Sequence, residues 1–166
     1  MATIVLMACT GCQHSIDYEK EREAIIDVIN RETRAYVDRD METVFDTHVH
    51  DSLNMRLTAG ADNYVFLEGW DQHAKHLAGD ETEDELGPDL HINVEKSNYR
   101  MKIYPNSAFV VCDQVWTSTY EDDTTEIESI QVRFLEKIEG EWKISFVSFI
   151  GTSGYMQYEE TEQLSD

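Results

Sequence analysis

Residues 126 to 150 read EIESIQVRFLEKIEGEWKISFVSFI, two runs rich in β-branched and aromatic residues on either side of Glu139-Gly140. A tight two-residue hairpin turn needs φ > 0 at its centre, and glycine meets that demand without steric cost. In a two-residue register Glu136 faces Lys143, Phe134 faces Ser145 and Val132 faces Val147 on one side of the sheet. On the other side Lys137 meets Trp142, Leu135 meets Ile144, Arg133 meets Phe146 and Gln131 meets Ser148. An opposite-charge pair and a lysine-aromatic pair then fall beside the turn, as cross-strand energetics favour. Away from the turn both faces are largely apolar, so the hairpin is expected at the centre of a sheet covered, at least partly, on two sides.

Working outward, His91 to Tyr104 and Ala108 to Tyr120 are two further strand-like runs, with Pro105-Asn106-Ser107 and Asp122-Asp123-Thr124 as turns. Between Asp51 and Gly69 the loose alternation of Leu53, Met55 and Leu57, then Tyr64, Phe66 and Leu67, predicts two short strands around a turn at 59–63. Trp70 to Ala78 is helical in spacing, and Gly79 ends it. From Ile16 to Arg39, Ile25, Ile26, Ile29, Tyr36 and Val37 recur at helical spacing opposite Glu19, Lys20, Asp27, Arg31, Arg34 and Asp38, an amphipathic helix. Asp40 caps a second, short helix ending near His48. Helices first and a run of adjacent strands afterwards predict an α+β domain, an antiparallel meander with helices laid on one face. The domain is expected over 19–151, with a tether at 1–18 and an acidic tail at 152–166.

Charge narrows the partners. Thirty-four acidic against 13 basic residues give a formal −21, which repels phosphate backbones and anionic lipid headgroups, so nucleic acid is not an expected partner. The acidic runs at 80–89, 121–128 and 159–166 read as solvated loops and tail, and 80–85 lacks the glycine and spacing of an EF-hand. Cys112 lies within a strand-like run and reads as a small buried hydrophobe. Cys9 and Cys12 have no βαβ pattern around them to support a redox pair. Ile4-Val5-Leu6-Met7-Ala8-Cys9 resembles instead the lipobox of a bacterial lipoprotein, with Cys9 as the lipidated residue. A cell-envelope location, with membrane anchoring only through that lipid, is the expectation and a cytoplasmic one the alternative.

The long helix with Ala35-Tyr36-Val37-Asp38-Arg39-Asp40, the short helix ending in His48, the third helix after Gly69-Trp70 and the closing Leu135-Glu136-Lys137-Ile138-Glu139-Gly140-Glu141-Trp142-Lys143-Ile144 together resemble the SnoaL-like branch of the nuclear transport factor 2-like superfamily. The resemblance implies a cone-shaped α+β roll of cystatin-like type, about three N-terminal helices packed in a strongly bent antiparallel sheet. It also implies a pocket opening into the cone and a homodimer formed through the sheet. Its members include isomerases, dehydratases and cyclases working by acid-base chemistry without a cofactor, and others that only bind, so fold alone does not choose an activity.

For chemistry, His48, His50 and Asp51 form the densest cluster of titratable groups, a candidate base against the plainer reading of a helix-end histidine. Arg133 and Gln131 share a sheet face with Ser148 in the register above, and either Asp113 or Gln114 is expected opposite Arg133. The candidate catalytic set is therefore His48, Asp113 and Arg133, with a structural charge pair as the alternative for the last two. The expected pocket residues are Tyr36, Trp70, Gln114, Trp116, Gln131 and Ser148, with Tyr120 as a further aromatic. Such a wall suits a small apolar or aromatic molecule, and the acidic surface argues against a phosphorylated or strongly anionic one. His73, His76 and His91 match no established metal-ligand spacing, so neither metal nor cofactor is expected. Three functions follow from this reading: a small-molecule-binding domain, a lyase or isomerase, or a protein-interaction module using the outer sheet face.

Overall fold

The computed structural model describes residues 16–60, 63–79, 90–121 and 123–152. The lipobox cysteine Cys9, the 80–89 acidic run and the C-terminal tail beyond Thr152 lie outside the described residues.

The chain opens with α1 (Tyr18–Val37), whose first turn is capped by the Asp17 carboxylate accepting from the Lys20 amide. Asp40 caps α2 (Met41–Asp46) in the same way, accepting from the Thr43 amide at 3.1 Å. Two short strands follow, β1 (Met55–Ala59) and β2 (Tyr64–Glu68), then α3 (Trp70–Ala78), which ends where Gly79 takes φ +81°. Four long strands complete the domain: β3 (Leu90–Ile103), β4 (Ser107–Tyr120), β5 (Asp123–Ile138) and β6 (Glu141–Gly151).

The six strands form one sheet in the order β2-β1-β6-β5-β4-β3. β3 to β6 are the expected antiparallel meander, but β1 joins β6 in parallel, so the sheet is mixed. The helix α1 touches both β3 and β6, three strands apart, and the sheet curls around it. Ile25, Val28 and Ile29 of α1 pack on Ala108, Val110, Leu135, Trp142, Ile144 and Val147 from the concave face. Burying each such aliphatic side chain contributes roughly 1.5–3 kcal/mol, so this seam is the main adhesive of the fold. A second cluster, Ala35, Val44 and Leu77 with Phe45 and Trp70 against it, ties the three helices together.

The hairpin turn has positive φ at both central residues, 53° at Glu139 and 93° at Gly140. Leu135 pairs with Ile144, Glu136 with Lys143 and Lys137 with Trp142, and Lys137 lies 5.4 Å from the centre of the Trp142 ring. Lys137 and the Trp142 indole both hydrogen-bond Glu21, fastening the turn to the first turns of α1. Lys143, however, turns to Asp46 at the end of α2.

Beyond this zone the expected register fails. A bulge at Ser145 slips the pairing by one, so that Phe134 meets Phe146, Arg133 meets Val147, Val132 meets Ser148 and Gln131 meets Phe149. Because side chains alternate faces along a strand, a one-residue slip exchanges every face assignment after it. Phe149, not Ser148, therefore stands beside Gln131 on the concave side.

Candidate functional site

The concave face of the sheet and the second half of α1 enclose a cavity of about 450 Å³, within the roughly 300–1,000 Å³ usual for small-molecule sites. Each element contributes by its period. The odd residues Ser129, Gln131 and Arg133 of β5 point inward, as do the even residues Gln114 and Trp116 of β4 and Arg56 and Thr58 of β1. From α1 come Glu32, Thr33 and Tyr36, continuing the stripe set by Ile25 and Ile29 at helical spacing.

The polar groups form one directional chain. Arg133 is 1% exposed and Glu32 5%, and they form an ion pair at 3.0 Å across 101 residues of sequence. The Arg133 Nε donates to Gln131 Oε1 at 3.1 Å, the Gln131 amide donates to Gln114 Oε1 at 2.6 Å, and the Gln114 amide reaches Ser129 Oγ at 3.5 Å. Arginine has only donors, so it fixes the orientation of the first amide, which fixes that of the second. The hydroxyl of Thr33 touches Glu32 and accepts from Lys96.

Burial alone pushes the Glu32 carboxyl upward, but the charges of Arg133 and Lys96 reverse this and hold it well below the usual carboxylate range. Burial, with Arg133 nearby, pushes the Lys96 amine down to about 7. Burial also lowers Arg56, opposed by Glu32, yet a guanidinium stays charged at neutral pH. Among the lining residues two arginines thus face one carboxylate, in a chain whose overall charge is −21.

Around the polar chain the wall is apolar. Tyr36 and Trp116 meet edge to face with centroids 6.2 Å apart, and Leu77, Ile127 and Phe149 complete it. Of the expected pocket residues, Tyr36, Gln114, Trp116 and Gln131 line the cavity, and so does Arg133 of the candidate catalytic set. Ser148 does not: the Ser145 bulge turns it to the outer face, opposite Val132 and Leu57. Nor does Trp70, which packs on Phe45 and stacks on His50 at 4.1 Å, or Tyr120, which is exposed at the end of β4.

Asp113 is also displaced. The β4-β5 turn spans only two residues, so Val110 faces Arg133, while Asp113 pairs with Ile130 and projects outward. There it accepts from Asn98 at 2.6 Å and Arg100 at 2.9 Å. His48 is 3% exposed but outside the cavity wall, its Nδ1–H donating to the Val44 carbonyl at 2.9 Å. Burial depresses its pKa to about 4, so it is neutral at pH 7. His48 and Asp113 therefore do not meet, and the His48-His50-Asp51 cluster separates. His50 bonds the Phe45 carbonyl and Asp51 the Leu53 amide. Among the described residues no three His, Cys, Asp or Glu side chains are placed to hold a metal ion. No helix among them is long and apolar enough to cross a membrane.

Four residues of consequence escape a reading by residue type. Glu32 lies three residues from Ile29 and four from Tyr36, and that place on the apolar stripe is the signal that marks it as buried. Arg56 and Thr58 alternate with the apolar Met55 and Leu57, and the polar parity of β1 is the one that faces the cavity. Asn54, fully buried, donates to Val49 and Ile144 carbonyls and accepts from His73 at 2.6 Å, joining β6 to α3.

No protein-family model and no curated protein sequence matches the chain. Solved structures do. An NTF2-like protein with a cystatin-like fold from Novosphingobium aromaticivorans superposes with a TM-score of 0.66 at 16% identity, over 83% of this chain and 86% of that one. A nuclear transport factor 2-like superfamily protein from Salmonella enterica gives 0.63 at 18% identity, over 87% and 98%. A ketosteroid isomerase-like protein from Erwinia carotovora gives 0.58 at 16% identity, over 81% and 98%.

Proposed function

From the nuclear transport factor 2-like fold of this chain, we propose that it is a small-molecule-binding domain whose cone cavity takes an apolar or aromatic ligand. The observation that carries the reading is the cavity itself, walled by Tyr36, Trp116, Ile127 and Phe149 and crossed by one fully ordered polar chain from Glu32 to Ser129. Binding is favoured over catalysis because the one carboxylate in the wall is held ionised by Arg133 and is a weak base, whereas proton abstraction prefers a carboxylate raised by an apolar site. Lyase or isomerase chemistry remains the alternative, the isomerase part being supported by the ketosteroid isomerase-like neighbour. Native mass spectrometry of the protein purified from its own host tests the reading. A retained small-molecule adduct that is lost in Trp116→Ala supports it, and a bare mass with no binding of aromatic probes overturns it.

A homodimer through the sheet is a second part of the proposal. Met55, Leu57, Phe66, Phe109, Ile130, Val132, Phe134 and Phe146 lie together on the outer face, where Phe66 is 49% and Phe109 42% exposed. Contiguous apolar surface of this kind marks interaction sites. Phe134→Lys should convert a dimer into a monomer in sedimentation equilibrium, and a wild-type monomer at all concentrations would sink the idea. The lipid anchor on Cys9 is likewise proposed, from its lipobox context, and globomycin-sensitive processing of the full gene product tests it.

A further inference from the structure

The polar end of the cavity holds more donors than the protein satisfies. Arg133 gives Nε to Gln131 and one terminal nitrogen to Glu32, but its Nη1 is buried with no hydrogen-bond partner among the described residues. Arg56, lining the same cavity from β1, has a buried Nε in the same condition, as is the Thr58 hydroxyl two residues on. Buried polar groups in folded proteins nearly always find partners, and an unmet one destabilises the fold. The two guanidiniums also flank one ring: Arg56 lies 4.6 Å and Arg133 6.0 Å from the centre of Phe149.

We propose that the ligand carries a single carboxylate, held by Arg56 and Arg133 with the Thr58 hydroxyl as a third donor, while its apolar body lies against Tyr36, Trp116 and Ile127. The assignment rests on the small-molecule reading above and adds the head group to it. A planar carboxylate accepts two parallel N–H bonds from a guanidinium, which a neutral carbonyl does not match. Charge selects one unit and not two. Glu32 already neutralises one of the two lining arginines, so a monoanion balances the other. Lys96, which donates to Thr33 but does not line the cavity, is pushed toward its neutral amine by burial. A phosphate dianion would be repelled by Glu32 at close range. The −21 of the whole chain does not decide the matter, because screening in water confines that field to about 8 Å at physiological salt, whereas the arginines act at contact.

The test uses three probes of one body: 1-naphthoate, neutral 1-naphthamide and 1-naphthyl phosphate, titrated into the full chain at pH 7.5 by calorimetry. Binding of 1-naphthoate roughly 10-fold or more tighter than 1-naphthamide, with the phosphate weaker than the naphthoate, is expected. Arg56→Met should remove the preference for 1-naphthoate over 1-naphthamide. Arg56 has no ion pair among the described residues, so this variant is expected to fold, which circular dichroism verifies. The wild-type comparison stands whether or not the variant folds. Equal affinities for naphthoate and naphthamide overturn the carboxylate site and leave the cavity reading intact. A tighter phosphate overturns the choice of head group, and binding of none of the three overturns the cavity reading with it.

Discussion

Glu32 and Arg133 are each nearly free of solvent, and among the described residues each is the other's ion-pair partner. Removing one partner of such a pair strands a buried charge, which costs far more than the pair itself stabilises. Glu32→Ala should therefore lower unfolding stability by about 3–5 kcal/mol in urea titrations, and Glu32→Ala with Arg133→Met should recover much of the loss. The pair has a defined pH window. The carboxyl sits below its ordinary 4.5 when folded, so its stabilisation is complete above that value and is lost as pH falls toward about 2. His48 and His73 act earlier. Burial lowers them to about 4 and about 3, and their rings lie 5.1 Å apart, so protonating one opposes protonating the other. In the unfolded chain both take protons from about pH 6.5 downward. Folded stability should thus fall between pH 6.5 and 4, with a slope approaching about 1.4 kcal/mol per pH unit for each histidine. His48→Asn, whose amide nitrogen can take the place of Nδ1 on the Val44 carbonyl, should halve that slope in denaturation midpoints measured at pH 7, 6, 5 and 4.5. An unchanged slope would show that His48 is not buried neutral.

Among the elements, the hairpin turn is read from sequence with little loss because Gly140 is a backbone statement written in a side chain. Glu139 is not: at φ 53° it occupies the left-handed region without glycine's freedom. Glu139→Asn should raise stability by up to about 1 kcal/mol, checked by thermal unfolding, and Gly140→Ala should lower it by a similar or larger amount. The helices and four long strands are legible for the same reason, since their periods of 3.6 and 2 are carried by Ile25, Ile29 and Tyr36 or by the alternation along β4. The Ser145 bulge is not legible. An extra residue in one strand leaves no mark on composition or periodicity, and its effect appears only several residues later, where Phe149 takes the place expected of Ser148. Asp113 is not legible either, because a shift of a few residues in the β4-β5 turn carries a side chain from one face of the sheet to the other. Glu32 and Arg56 were hidden by type, because a charged residue reads as solvated until a partner from 101 residues or a whole sheet away is known.

At the scale of the molecule, an acidic exterior encloses a cavity wall with two arginines against one glutamate. An anion approaching from solution meets repulsion first and attraction only on arrival. Salt should consequently speed association of 1-naphthoate with the protein and leave that of 1-naphthamide unchanged between 20 and 300 mM, as stopped-flow fluorescence of the tryptophans can read. A rate for the anion that falls with salt would mean that the entrance is itself cationic. The parallel joining of β1 to β6 sets a different constraint, on when this structure can exist. β1 has only β2 and β6 as neighbours, and β6 runs from Glu141 to Gly151, nearly 90 residues downstream. A nascent chain holding the three helices and the first two strands owns half of a cavity and no wall to close it. Its Arg56, Met55 and Leu57 wait in solvent until the last strand has been made, and contacts so distant in sequence make for slow closure. Assembly of the binding site and completion of the sheet are thus one event, and a chain truncated before residue 141 should be a client of chaperones, not a smaller version of the domain.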